Sequence, residues 1–338
     1  MTDLILRSVF PEPPGDELRL AFRKHVAATG QPETFPSVST TQPPKEGTVV
    51  VLEHPVDINR KTRLDRGMAP CPICSPDHGK YLNGGSLIWC ETTQAIYAIG
   101  PRCSAHLWED GRMNKAINLF MESEKAKADG IRLYHLVLRI PRLLDWIVHN
   151  RALASTATNA HTSFAKDMRQ LRGVMARSLK ASNGMAQDRG PWADIPIGMV
   201  SGRSFLSGNW RLGRDIDDAA TRLRSYPVIS GEDLLHWIDS LTPSVRAAKC
   251  KEIEAAWDAL HRTEQRMEAA SAFLSAQNTE VLGRWGRSAG APIAFTVSTT
   301  TSRVTFRQGE AMWQGPALLP VPRGALEPLR GRSLSDAA

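Results

Sequence analysis

Two short apolar, β-prone runs stand close together in the chain, Ser86-Leu87-Ile88-Trp89-Cys90 and Gln94-Ala95-Ile96-Tyr97-Ala98-Ile99. The polar Glu91-Thr92-Thr93 separates them, and this spacing predicts a β-hairpin with a short connection. The pattern then changes. Met113, Ala116, Ile117, Phe120 and Met121 recur at helical spacing, with Lys115, Asn118, Glu122 and Lys125 between them, and Asp129-Gly130 marks an end to that helix. Upstream, a short helix is expected over Asp16 to Ala28 and a strand over Thr48 to Leu52.

Further along, Leu133 to Ile140 reads as a strand or as the start of a buried helix. Pro141 favours a helix beginning there, because proline is tolerated in a first turn. Phe164, Met168, Leu171 and Met175 predict a helix over about Ala160 to Leu179, closed by Asn183-Gly184. Two shorter helices are expected near Asp215 to Arg224 and Gly231 to Leu241. The stretch Ser244 to Gly283 has no interrupting Pro or Gly, and Ile253, Leu260, Met267, Leu274 and Val281 repeat every seven residues. Their heptad partners Trp257, Glu264, Ser271 and Asn278 are mostly polar. A self-sufficient coiled coil needs both seam positions apolar, so this stripe is expected to dock on another helix of the chain, such as the one at 160–179. Homodimerisation through the 244–283 helix is the alternative. A second hairpin is expected at Ile293 to Ser298 and Arg303 to Arg307, followed from about Pro316 by a disordered tail rich in Pro, Gly and Arg.

The chemistry-bearing feature flanks the first hairpin. Cys71-Pro-Ile-Cys74 precedes it and Cys103-Ser-Ala-His106 follows it. A C-x2-C turn can offer two sulfurs to one ion, and a C-x2-H pair at a helix start places both ligands on one side of the first turn. Gly100-Pro101 marks the turn into that helix. Cys71, Cys74, Cys103 and His106 are therefore predicted to hold one structural Zn²⁺, with Cys90 and His78 as substitute ligands. Four ligands would close the coordination sphere and leave no place for a catalytic water. A redox role for the C-x-x-C pair would need a helix directly after it, and a loop and hairpin intervene. The order of knuckle, hairpin and ligand-bearing helix resembles the treble-clef zinc finger over roughly Met68 to Arg112. That resemblance is structural and not specific to one family.

The fold class that follows is α-rich (α+β), a treble-clef-like zinc module followed by long helices. The chain divides into a loosely structured N-terminal segment (1–66), the zinc module (67–130), a basic helical region with a Gly- and Pro-punctuated connector (131–243), the long helix (244–290), and the hairpin with its tail (291–338).

Charge adds a partner. The formal net charge is +7, and residues 111–189 alone hold 14 Lys/Arg against 6 Asp/Glu, whereas residues 190–243 hold 5 against 7. A locally basic surface attracts phosphate backbones without sequence preference. Nucleic acid is thus the expected partner, contacted by Arg60, Lys61, Arg63 and Arg66 ahead of the first zinc ligand and by Lys166, Arg169, Arg172 and Arg177 on the helix at 160–179. The run at 59–66 also reads as a solvated linker. A protein-interaction or assembly factor is the competing expectation.

The catalytic signatures sought do not occur. There is no G-x-x-x-x-G-K-[ST], no H-E-x-x-H and no G-x-S-x-G. A nuclease of the ββα-metal kind would need a histidine on the first hairpin strand, which has none. A non-enzymatic binding protein is expected. Met1 to Arg7 carry too short an apolar run for a signal peptide, and Leu133 to Val148 is broken by Arg139, Pro141, Arg142 and Asp145, so no membrane span is expected. Five cysteines, four of them at or near the metal site, fit a reducing, cytoplasmic setting.

Overall fold

A computed structural model of the chain describes residues 9–326 apart from 66, 192, 318, 321, 323 and 325, and gives the backbone alone at 75–77. About 51% of residues are helical and 17% lie in strands of small sheets, so the fold is mixed α+β. The chain forms two compact units, Met1–Ala128 and Asp129–Ala338.

The first unit is built on a sheet that is buried on both faces. Helix α1 (Asp16–Thr29) ends at Gly30, whose φ of 65° is the left-handed cap that glycine adopts without strain. Strand β1 (Val49–Val56) follows, then a small hairpin of β2 (Ala69–Cys71) and β3 (Ser75–Tyr81), then β4 (Gly85–Cys90) and β5 (Ala95–Ile99). The order β1-β4-β5 is antiparallel throughout. Because side chains alternate along a strand, β5 feeds two cores at once. Ala95, Tyr97 and Ile99 face one apolar cluster together with Ile88, Cys90, Leu107 and Trp108. Ile96 and Ala98 face the other, with Leu87, Trp89, Phe22 and Val26 of α1. Helix α2 (Pro101–Leu107) and the start of α3 (Arg112–Val137), through Met113, Ala116 and Phe120, cover the first face.

The predicted hairpin is present, with β1 added as a third strand. Between the C-x2-C turn and β4 the backbone of β3 pairs with β2 as a strand. The predicted helix end at Asp129-Gly130 is not observed, since α3 continues to Val137. A glycine inside a helix costs about 1 kcal/mol against alanine. Burying Leu133, Leu136 and Val137 on the continuing turns outweighs that cost.

The second unit is mostly helical: α4 (Ile140–Asp167), α5 (Arg169–Ala181), α6 (Leu212–Leu223), α7 (Gly231–Asp239), α8 (Pro243–Phe273) and α9 (Ala276–Gly286). It also holds a β6–β7 hairpin (Met185–Asp188, Ile195–Met199) and a three-stranded sheet of β8 (Thr296–Thr299), β9 (Arg303–Gln308) and β10 (Ala311–Pro316). The helix expected at 160–179 is two helices, broken at Met168 (φ −115°, ψ 34°). Asn183 and Gly184 close the second with φ of 50° and 93°. The centre of the unit is aromatic. Phe164 meets Trp313 edge-on at 5.0 Å and Phe306 at 5.2 Å, while Phe205 stacks on Phe273 at 4.9 Å. The Trp313 indole N–H donates to Ser163 Oγ at 2.8 Å, which ties β10 to α4.

The uninterrupted helix expected over 244–283 is broken at Ser275. Ser275 Oγ accepts the Asn278 N–H at 3.3 Å and caps α9. Ile253, Leu260, Met267 and Leu274 are 0–1% exposed, packed in the unit's own core, where α8 lies against α4 and α6. The seam that heptad spacing offered to a second chain is therefore filled from within. The tail is also less free than its composition suggested. Ala317, Leu319 and Leu326 are buried, and Leu326 N–H donates to the buried Glu264 Oε1 at 2.9 Å. The tail after Leu326, and Met1 to Arg7, lie outside the described residues. Among the described residues no helix is long and apolar enough to cross a membrane.

His161 is 2% exposed, stacked on Trp210 at 4.5 Å, with Arg172 Nη2 3.4 Å from its Nε2. Burial first, then the Arg172 charge, depresses it to about 4. Two outcomes follow for this unit. As pH falls below 6.5 the unfolded chain takes up a proton that the folded imidazole refuses, so stability drops until about pH 4. Urea titrations should show a loss of about 2 kcal/mol between about pH 7 and about pH 5 that His161→Phe removes. Leu260→Ala should cost about 2–5 kcal/mol in the same assay and leave the solution mass unchanged by light scattering, because the side chain serves an internal core.

Candidate metal centre

Two separate chain segments bring sulfur to one place. The first is the tip of the β2–β3 hairpin. Cys71 ends β2 opposite Ser75, and the Cys74 N–H donates to Cys71 O at 3.3 Å, closing the turn through Pro72 and Ile73. The second is α2, which begins at Pro101 after the extended Gly100 (φ −80°, ψ 154°) and carries Cys103 in its first turn. Tyr81 holds the two segments together. A Cβ on Gly85 would stand 2.3 Å from its ring and one on Gly100 would stand 3.0 Å away. Only glycine lets the ring lie against both the start of β4 and the turn into α2.

The Sγ atoms of Cys71, Cys74 and Cys103 lie within 4.8 Å of one another. Cys71 is buried, Cys103 half-buried and Cys74 exposed, so the group opens to solvent on one side. The Gly100 N–H donates to Cys71 Sγ at 3.3 Å, which ties the turn into α2 to the tip of the β2–β3 hairpin. The Cys103 S–H donates to Cys74 Sγ at 2.8 Å. Burial, then the neighbouring sulfurs of Cys74 and Cys71, push the Cys103 thiol up to about 12. Three thiolates so close repel one another, and a cation among them reverses the sign of that interaction. Zinc–sulfur bonds of about 2.3 Å put tetrahedral sulfurs about 3.8 Å apart, inside the 4.8 Å span of the group and about 1 Å wider than the Cys74–Cys103 pair.

The remaining predicted ligands stand elsewhere. His106 is exposed on α2, one turn after Cys103, and is not a member of the group. Cys90 is buried on β4, where burial pushes its thiol up to about 12, and it too lies outside the group. His78 is exposed on β3 and is likewise not a member. Among the described residues the group that could hold a metal ion has three members, all cysteine.

The basic residues divide sharply. Arg60 and Lys61 are exposed. Arg63 is not: its side chain is 3% exposed and folds down onto the end of α1. It donates to Gly30 O at 2.8 Å, to Glu33 Oε1 at 2.8 Å and to Asp65 Oδ1 at 3.0 Å. Sequence reasoning missed this role. The signal was faint, two acids at Glu33 and Asp65 that nothing in the pattern connected to it. Arg66 lies outside the described residues. In the second unit Lys166, Arg169 and Arg177 are exposed. Arg172 is half-buried, donates to Gly208 O at 2.8 Å, and is shifted downward by burial. Arg63 and Arg172 are each tied to a backbone carbonyl of their own unit.

Replacing Arg63 by methionine should lower stability by about 2 kcal/mol in urea, the usual worth of hydrogen bonds to a charged group, while Arg60→Ala should change it by less than about 0.5 kcal/mol.

In comparisons with protein families, curated proteins and solved structures, no match to this chain was found.

Proposed function

We propose that the first unit is a zinc-stabilised, treble-clef-like module and that the chain is a non-enzymatic binding protein for nucleic acid. The observation that carries the metal half is the convergence of three sulfurs from a knuckle and a helix start. His106 supplies the fourth ligand by swinging in from its exposed position one turn below Cys103. With the sphere closed, the zinc has no open position and serves folding. The nucleic-acid half is supported by Arg60 and Lys61 in the first unit and by Lys166, Arg169 and Arg177 in the second. All five are exposed and none has an acidic partner among the described residues.

Metal analysis of the purified chain should give about one equivalent of zinc. Cys71→Ser and Cys103→Ser should each lose it and unfold the first unit. Cobalt substitution should give the absorption of a tetrahedral site with one nitrogen ligand, and His106→Ala should change that spectrum. A metal-free wild type that stays folded would overturn this half. For the other half, anisotropy of a fluorescein-labelled single-stranded oligonucleotide should report binding that weakens linearly on a log–log salt plot. The joint variant Lys166→Ala, Arg169→Ala, Arg177→Ala should reduce the slope by about 0.7 for each phosphate that is no longer neutralised. No binding at low salt would overturn it.

A further inference from the structure

Strand β1 is an edge strand, with β4 on one side and, among the described residues, no strand on the other. The Glu91 N–H donates to Thr48 O at 3.0 Å. In an antiparallel ladder the residues that exchange bonds alternate with those that do not, so Thr48 and Val50 turn their polar groups to β4 while Val49 and Val51 turn theirs away. No hydrogen bond meets the Val49 or Val51 backbone on that outer side among the described residues. As whole residues both are nearly buried, at 9% and 5% exposure, because their side chains pack into the core.

The outer side opens into a groove of about 630 Å³ within the first unit. Thr48 and the first residues of β1, Val49 to Leu52, line it. One wall is α3, through Ala116, Leu119 and Phe120, and the other is Pro13, Pro14 and the start of α1. Leu119 is 59% exposed. The charged wall residues are mostly matched already. Arg19 pairs with Asp16 at 2.7 Å and with Glu124 at 3.1 Å, Lys127 pairs with Glu124 at 3.4 Å, and Arg112 pairs with Asp110. Lys115 has no acidic partner among the described residues.

We infer that this groove docks an extended segment of a partner protein by strand addition to β1. The occupant pairs its backbone with Val49 and Val51, lays an apolar side chain on Leu119 and Phe120, and sets a carboxylate against Lys115. Main-chain bonding supplies affinity in this mode, and the side pockets supply selectivity. This surface is independent of the nucleic-acid contacts proposed above.

The test uses the full, metal-loaded chain and a phage-displayed random peptide library, followed by anisotropy on the selected peptides made synthetically. Peptides with alternating apolar positions and an acidic residue should be enriched. Leu119→Glu and Lys115→Glu, both at solvent-accessible positions, should each weaken them by about tenfold, about 1.4 kcal/mol in binding free energy. Exchanging the peptide's acid for lysine should restore binding to the Lys115→Glu protein. N-methylation of alternate peptide amides should abolish binding in one register and spare it in the other. No enrichment, equal binding to Leu119→Glu, or indifference to N-methylation in both registers would each overturn the inference. Uptake of a small apolar dye in the groove with no peptide selected would also overturn it, by making this a small-molecule site.

Discussion

Three sulfurs within 4.8 Å of one another impose the constraint on which the first unit turns. They come from segments about thirty residues apart, so the β2–β3 tip and the start of α2 must meet wherever the sulfurs do. Thiols so placed have two options. They stay protonated, as the upward shift at Cys103 describes, or they share a cation that makes ionisation favourable. The Gly100 N–H on Cys71 and the Tyr81 ring wedged between two glycines give the backbone a geometry ready for the second option. A small hairpin with three residues in one strand has little else to hold it.

The β1-β4-β5 sheet is buried on both faces by two apolar clusters. With β4 and β5 serving two apolar clusters, every side chain of both strands is buried. No face remains for a solvent-exposed site, so the chemistry moves to the sheet's ends and edges. The sulfurs gather at one end. The unpaired side of β1 is left at the other limit of the sheet, where a polar backbone lies against apolar walls. Natural edge strands are commonly blunted by charge, bulges or cover. Here the register shifts after Val51, yet the stretch from Val49 to Val51 before it is regular and uncharged.

Much of this was legible in the sequence because the signals were local. The paired apolar runs in 86–99, the C-x2-C turn, the Gly-Pro entry to α2 and the Asn-Gly end of α5 are short-range patterns, and each lies where it was read. What was missed depended on partners distant along the chain. Gly130 reads as a stop until the burial of Leu133 and Leu136 is known. Arg63 reads as a free cation until Glu33 and Gly30 are beside it. The spacing of His106 from Cys103 was right for a ligand, but spacing along a helix fixes a face and not a rotamer, and the imidazole stands outside the sulfur group.

The heptad stripe on α8 shows the same limit from the other side. A repeat of seven states that one face of a helix is to be buried, and it is silent on whether the covering atoms belong to the same chain. Polar partners at Glu264 and Asn278 weighed against a self-sufficient seam, and their local roles account for them. Glu264 accepts the Leu326 N–H, and Asn278 Nδ2 donates to Phe273 O at 2.8 Å across the break between α8 and α9. Each of these two polar seam positions is thus satisfied by backbone from this chain, a use that a facing helix with its own hydrogen bonds complete could not supply. Polar residues at seam positions therefore carry information of their own: they mark where a loop or a strap crosses the helix.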